Sequence, residues 1–99
     1  MNVVRVTKVE PLDGYRLRLR FNDGLEGTVD ISAVVAFQND YARLRDPAFF
    51  RQVAVEKDFG AIVWPGDLDI DPYTLYVEAT GRDIQLDDGT TIRPAGVSL

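Results

Sequence analysis

Tyr15-Arg16-Leu17-Arg18-Leu19-Arg20-Phe21-Asn22-Asp23-Gly24-Leu25-Glu26-Gly27-Thr28-Val29-Asp30-Ile31 is the stretch on which the fold turns. Tyr15, Leu17, Leu19 and Phe21 alternate with three arginines, the period-two signature of a strand with one dry and one wet face. Leu25, Gly27, Val29 and Ile31 resume the alternation after Asn22-Asp23-Gly24. Both apolar sets fall on odd positions, so they share a face only if Phe21 lies opposite Leu25, leaving a three-residue loop. Such a loop needs a left-handed residue at its last position, and Gly24 stands there. The wet face then sets Arg20 against Glu26, Arg18 against Thr28 and Arg16 against Asp30, placing opposite charges across the strands at both ends.

The reading extends in both directions. Upstream, Val3–Val9 is β-branched and half alternating, and Pro11-Leu12-Asp13-Gly14 is a turn, so a third strand joins the hairpin. Downstream, apolar spacing predicts a short helix over 31–38, broken at Asn39-Asp40. Asp46-Pro47 and Asp71-Pro72 each pair a capping aspartate with a proline suited to the first helical position, predicting short helices over 47–52 and from Pro72 to about Val77. Between them, 53–57 and 61–64 read as a hairpin around Asp58-Phe59-Gly60, ended by Pro65-Gly66. Thr80-Gly81 reads as a boundary. Beyond it, Asp87-Asp88-Gly89 is another three-residue loop ending in glycine, which sets Leu86 against Thr90 and Ile84 against Ile92, with Pro94 as the stop.

The expected fold is therefore α+β: a small antiparallel sheet of hairpins with two or three short helices and a C-terminal β-hairpin appendage. Residues 1–80 form one domain, and 81–99 form an extension packed on it or on a partner, since two strands alone are marginal in water.

Composition narrows the function. Apolar residues make up 45% of the 99, ordinary for a globular chain. The longest apolar runs are far short of the roughly 20 residues of a membrane span, and the N-terminus lacks the pattern of a signal peptide, so a cytoplasmic location is expected. The chain has neither cysteine nor histidine. Disulfides, thiolate zinc sites, cysteine nucleophiles and a serine–histidine–acid triad are thereby excluded, and an enzyme is not expected. The net charge of −5 is unevenly distributed. Residues 1–20 carry five cations against two acids, while residues 56–88 carry nine acids against Lys57 and Arg82. An acidic domain repels phosphate backbones, so a nucleic-acid partner is not expected, whereas a basic protein would be steered toward the second half.

Three groups of residues stand out. Arg16, Arg18 and Arg20 could grip a nucleic acid, but their register against Glu26 and Asp30 makes a solvated, charge-paired strand face the simpler reading, and no aromatic interleaves them for base stacking. Asp67, Asp69 and Asp71 alternate as in a calcium loop, with Glu78 at the twelfth position. The sixth, however, is Pro72 where that loop needs glycine. Asp71 then serves as a helix cap, and no metal or other cofactor is expected. Trp64, Tyr73 and Tyr76 form an aromatic group near these acids, as an interface or a small core would require.

Several of these pieces together resemble the bacterial family called domain of unknown function 2442: the Val-rich first strand, Phe21-x-Asp23-Gly24, Gly27-x-Val29-Asp30-Ile31, Leu44-x-Asp46, Ile62-x-Trp64-Pro65, and Asp69-Ile70-Asp71-Pro72 followed by Leu75-Tyr76. The resemblance covers about residues 1–77. It implies a small α+β domain and supplies no catalytic residues. It also implies an association with toxin–antitoxin-like gene pairs, beside another small uncharacterised family. Some members carry an additional C-terminal helix-turn-helix, and residues 78–99 here are too short and turn-rich for one.

The functional expectation is a protein-binding module, the acidic antitoxin-like member of a two-protein pair, with Trp64, Asp67, Asp69, Asp71, Tyr73 and Tyr76 facing a small basic partner. The alternative is a nucleic-acid-binding regulator using Arg16, Arg18 and Arg20. Self-association through the tail hairpin is compatible with either.

Overall fold

Strands β1 (Val6–Pro11), β2 (Arg16–Phe21) and β3 (Glu26–Asp30) form an antiparallel sheet in that order in the computed structural model, which describes residues 3–86 and 88–93. The β2–β3 register is the expected one: Arg20 opposite Glu26, Arg18 opposite Thr28, Arg16 opposite Asp30. Phe21 N–H donates to the Leu25 carbonyl at 2.9 Å, and Gly24 takes the left-handed conformation at φ 90°. Leu17, Leu19, Phe21 and Val29 are buried, while the three arginines are exposed. The facing charges do not pair straight across, however. Arg18 reaches diagonally to Glu26 at 3.2 Å, Arg16 Nε donates to the Asp13 carbonyl, and Asp30 caps the following helix. On a twisted pair the diagonal neighbour lies within reach of a side chain as long as arginine.

That helix, α1, spans only Ile31–Val34, because Val35 is already extended. The break expected at Asn39-Asp40 is instead the start of a 3₁₀ helix, Asn39–Arg45. Asn39 enters it at φ 54°, a conformation asparagine tolerates better than most residues. The segment is held by burial of Leu44 and by the Tyr41 hydroxyl, which donates to the Asp69 carbonyl at 3.0 Å. These are tertiary contacts invisible to local propensity. Helix α2 (Pro47–Phe50) begins as read, with the Asp46 carboxylate accepting from Ala48 N–H, and ends at Phe50 rather than Gln52.

The second sheet is larger than the expected hairpin. β4 (Ala54–Val55) and β5 (Ile62–Trp64) pair as expected, but β6 (Leu68–Ile70) adds a third strand, with Ile62 opposite Ile70 and Trp64 opposite Leu68. Pro65-Gly66 does not stop the sheet. With Gly66 at φ 85° and Asp67 at φ 66°, the loop turns the chain straight back. Leu-Asp-Ile is too short for periodicity to reveal as a strand. Helix α3 (Pro72–Thr80) follows, capped by Asp71 and closed by Gly81 in the left-handed conformation at φ 73°. The tail hairpin, β7 (Ile84–Gln85) with β8 (Thr91–Ile92), has Ile84 opposite Ile92, and Leu86 N–H donates to the Thr90 carbonyl at 2.7 Å. Ile84 is buried and β8 lies against α3. Asp87 and the expected stop at Pro94 lie outside the described residues.

Both sheets face one core, a mixed α+β arrangement with α3 wedged over β3. Gly27 explains how the helix gets so close. Its position belongs to the inward odd set, opposite Leu19, and a β-carbon there would stand 2.2 Å from the Ala79 carbonyl oxygen. The glycine that interrupts the apolar alternation is the seat of the helix. Among the described residues no helix is long and apolar enough to cross a membrane.

Candidate functional site

The second sheet sorts its side chains by alternation. Ile62, Trp64, Leu68 and Ile70 point into the core, which leaves Val63 and its cross-strand neighbour Asp69 on the outer face. Asp67, in the left-handed turn position, and Asp71, the α3 cap, flank that face and are exposed. Between β4 and β5 the Glu56 carboxylate accepts the backbone N–H of Asp58 at 2.9 Å and of Phe59 at 2.7 Å. This tight turn lifts the Phe59 ring into solvent, 75% exposed. The result is a shallow groove of about 460 Å³, with Phe59, Ala61, Val63 and Pro72 as its apolar surface and Glu56, Asp67, Asp69 and Asp71 around it. The ion pairs formed among the described residues are Arg18–Glu26 and Arg93–Asp83, so neither Asp67 nor Asp69 has one. Asp71 is partly committed, accepting from Thr74 N–H at 3.0 Å and the Thr74 hydroxyl at 2.8 Å.

The aromatic group expected beside these acids is divided. Trp64 is 3% exposed and donates its indole N–H to the Phe50 carbonyl at 2.9 Å, so it supports the sheet from beneath. Tyr73 is half-buried against the core. Tyr76 packs edge-to-face on Phe21, and its hydroxyl donates to Asp23 Oδ2 at 2.7 Å, in a separate cleft lined also by Val4, Asn22, Arg82 and Ile84. There the Asp23 carboxyl is held below its ordinary value. Partial burial works in the opposite direction, but the Leu25 amide, the Tyr76 hydroxyl and the Arg82 charge outweigh it. Tyr76 is raised, first by burial and then by its bond to the Asp23 carboxylate. Every polar group of this pair is satisfied internally, so it serves as a latch between the Asn22-Asp23 turn and α3.

Sequence reasoning did not single out Phe59 and Val63. The signal for Val63 was present, since inward Ile62 and Trp64 force it outward. Phe59 was visible only as an aromatic inside a tight turn, where a large apolar side chain has few ways back to the core.

The arginine stripe is exposed as expected but interrupted. β1 sets Glu10 opposite Arg18 and Lys8 opposite Arg20, and Glu26 takes Arg18. Carboxylates inside the stripe repel phosphate as the arginines attract it.

The chain is thus a small antiparallel α+β domain with no buried unsatisfied polar side chain among the described residues and with an open apolar groove bordered by carboxylates. The chain belongs to the family described as protein of unknown function (DUF2442), whose model matches residues 6–81. No curated protein and no solved structure matches it.

Proposed function

We propose that this chain is a protein-binding module, the acidic antitoxin-like member of a two-protein pair, and that its groove takes a basic segment of a small partner. The observation that carries this reading is the exposed Phe59 ring beside an apolar floor bordered by Asp67 and Asp69, neither of them in an ion pair among the described residues. An aromatic anchor supplies contact area at little entropic cost, and unpaired carboxylates around it select a cationic partner and steer its approach. The groove is open and shallow, which suits a protein segment better than an enclosed small molecule.

Affinity capture from the native host tests the proposal. A small basic protein should be retained at low salt and released at high salt. Phe59→Ser should weaken its binding about tenfold or more, the scale of losing an interface anchor, without lowering the melting temperature. If no such protein is retained at low salt, or Phe59→Ser retains it equally well, the groove reading fails.

A further inference from the structure

β3 is an edge strand of the first sheet. Its pairing with β2 runs through odd residues: Phe21 N–H bonds to the Leu25 carbonyl, and Ile31 N–H bonds to the Tyr15 carbonyl. The even residues must then turn their backbone groups the other way. Glu26 and Thr28 thus present N–H and C=O outward, and Asp30 presents its N–H, its carbonyl being at the start of α1. Among the described residues no other backbone group bonds to them. α3 does not close this edge, because it sits on the inner face over Gly27, leaving Glu26, Thr28 and Asp30 exposed. By contrast β1, at the other edge, is protected: a register irregularity falls between Val6 and Lys8, Val6 N–H is taken by the Gly60 carbonyl at 2.8 Å, and Pro11 has no N–H to offer.

The charges on the open edge decide what can add to it. A second copy aligned antiparallel about Thr28 would set Glu26 against Asp30 twice, two like-charged cross-strand pairs in the register with the greatest overlap. A strand with Lys or Arg at those two positions turns both clashes into attractions. Cross-strand side chains stand about 5 Å apart, within reach of both carboxylates. Glu26 already pairs with Arg18 at 3.2 Å, so Asp30, which accepts only from Ser32 and has no ion pair among the described residues, supplies the larger share of the attraction.

We propose that the β3 edge accepts an extended basic segment of a partner protein as a fourth, antiparallel strand, with cationic side chains opposite Glu26 and Asp30. This surface is distinct from the groove and stands whether or not the groove binds.

The probe is the peptide Ser-Lys-Val-Thr-Val-Lys-Ser, with the same peptide carrying glutamate for lysine as control, and the readout is residue-resolved amide hydrogen exchange. In the free protein the Thr28 amide should exchange fast and the Gly27 and Val29 amides slowly. Lysine peptide at about ten times its Kd should slow Thr28 exchange roughly tenfold, in proportion to occupancy. The glutamate peptide should leave it unchanged. Thr28→Pro removes the outward N–H and keeps the pairing to β2, since proline is tolerated on the open side of an edge strand. It should abolish the slowing that the lysine peptide brings to the other outward amides, those of Glu26 and Asp30, and Glu26→Lys should weaken the Thr28 effect independently should the proline variant fail to fold. Phe59→Ser should leave the effect intact, separating this edge from the groove. No slowing at millimolar lysine peptide, equal slowing by the glutamate peptide, or an undiminished effect in Glu26→Lys would overturn the proposal.

Discussion

The first and second sheets turn their inner faces to one core, yet their outer faces differ in kind. On the first, cations and carboxylates interleave: Lys8, Glu10, Arg18 and Glu26 lie side by side, and Arg18 closes on Glu26 at 3.2 Å. On the second, short strands leave Val63 half-buried on the outer face between carboxylates that form no ion pair among the described residues, with Phe59 lifted beside them. On the first face charges of both signs are mixed and one ion pair forms, while the second is left with both apolar surface and carboxylates outside any ion pair among the described residues. Long alternating strands supply enough wet positions for compensation, and three-residue strands do not, so whatever the turns carry becomes the surface.

Substitutions at the seats of the two sheets should separate structural from surface roles. The largest effect is expected at Gly27, where a side chain would meet the α3 backbone at 2.2 Å. Gly27→Val should cost about 3 kcal/mol, at the upper end for overpacking, and lower the melting temperature by about 10–20 °C. A variant melting with the native protein would mean that α3 is not seated on β3. Trp64→Phe comes next. It strands the Phe50 carbonyl and leaves a void, for about 1–3 kcal/mol in urea titration. A neutral result would show that Trp64 does not brace the second sheet from beneath.

Tyr76→Phe should cost about 1 kcal/mol by removing the bond to Asp23, and its pH dependence sharpens the comparison. Asp23 is lowered in the fold, so its contribution is present above its ordinary value of 3.8 and lost as pH falls below it. Tyr76 is raised, so its contribution is present below 10.0 and lost as pH rises through its folded value. Melting curves should therefore show native and Tyr76→Phe proteins diverging most between these limits and converging at both extremes. A constant gap would mean that the latch is not electrostatic. The smallest effect belongs to the exposed pair: Glu26→Gln should change stability by no more than about 0.5 kcal/mol, and less at high salt. A larger loss would mean that the first sheet's outer face contributes to folding.

The first sheet was legible because its signals are local. A period of two over seven residues, a glycine at the left-handed loop position and opposite charges in register all lie within 17 consecutive residues. The same holds for the Asp-Pro helix starts at Asp46 and Asp71 and for the tail register of Ile84 and Ile92. Of the candidate site, the three aspartates were legible as an exposed group, but the choice between core and surface for Trp64 and Tyr76 was not, since both are apolar enough for either. Strand β6 was missed because three residues are too few for an alternation to show, and the 3₁₀ helix because a partner distant in sequence holds it, the Tyr41 hydroxyl on the Asp69 carbonyl.

Amino-acid order alone thus determined the β2–β3 and tail hairpins with their registers, the helix caps at Asp46 and Asp71 and the exclusion of cysteine and histidine chemistry, because each depends on neighbours a few residues apart or on composition. Only the tertiary structure decided that Gly27 seats α3, that Trp64 and Tyr76 face inward, and that Phe59 and Val63 meet Asp67 and Asp69 in one groove. Those outcomes depend on which surfaces compete for a single small core, and that competition is settled by packing across the whole chain rather than along it.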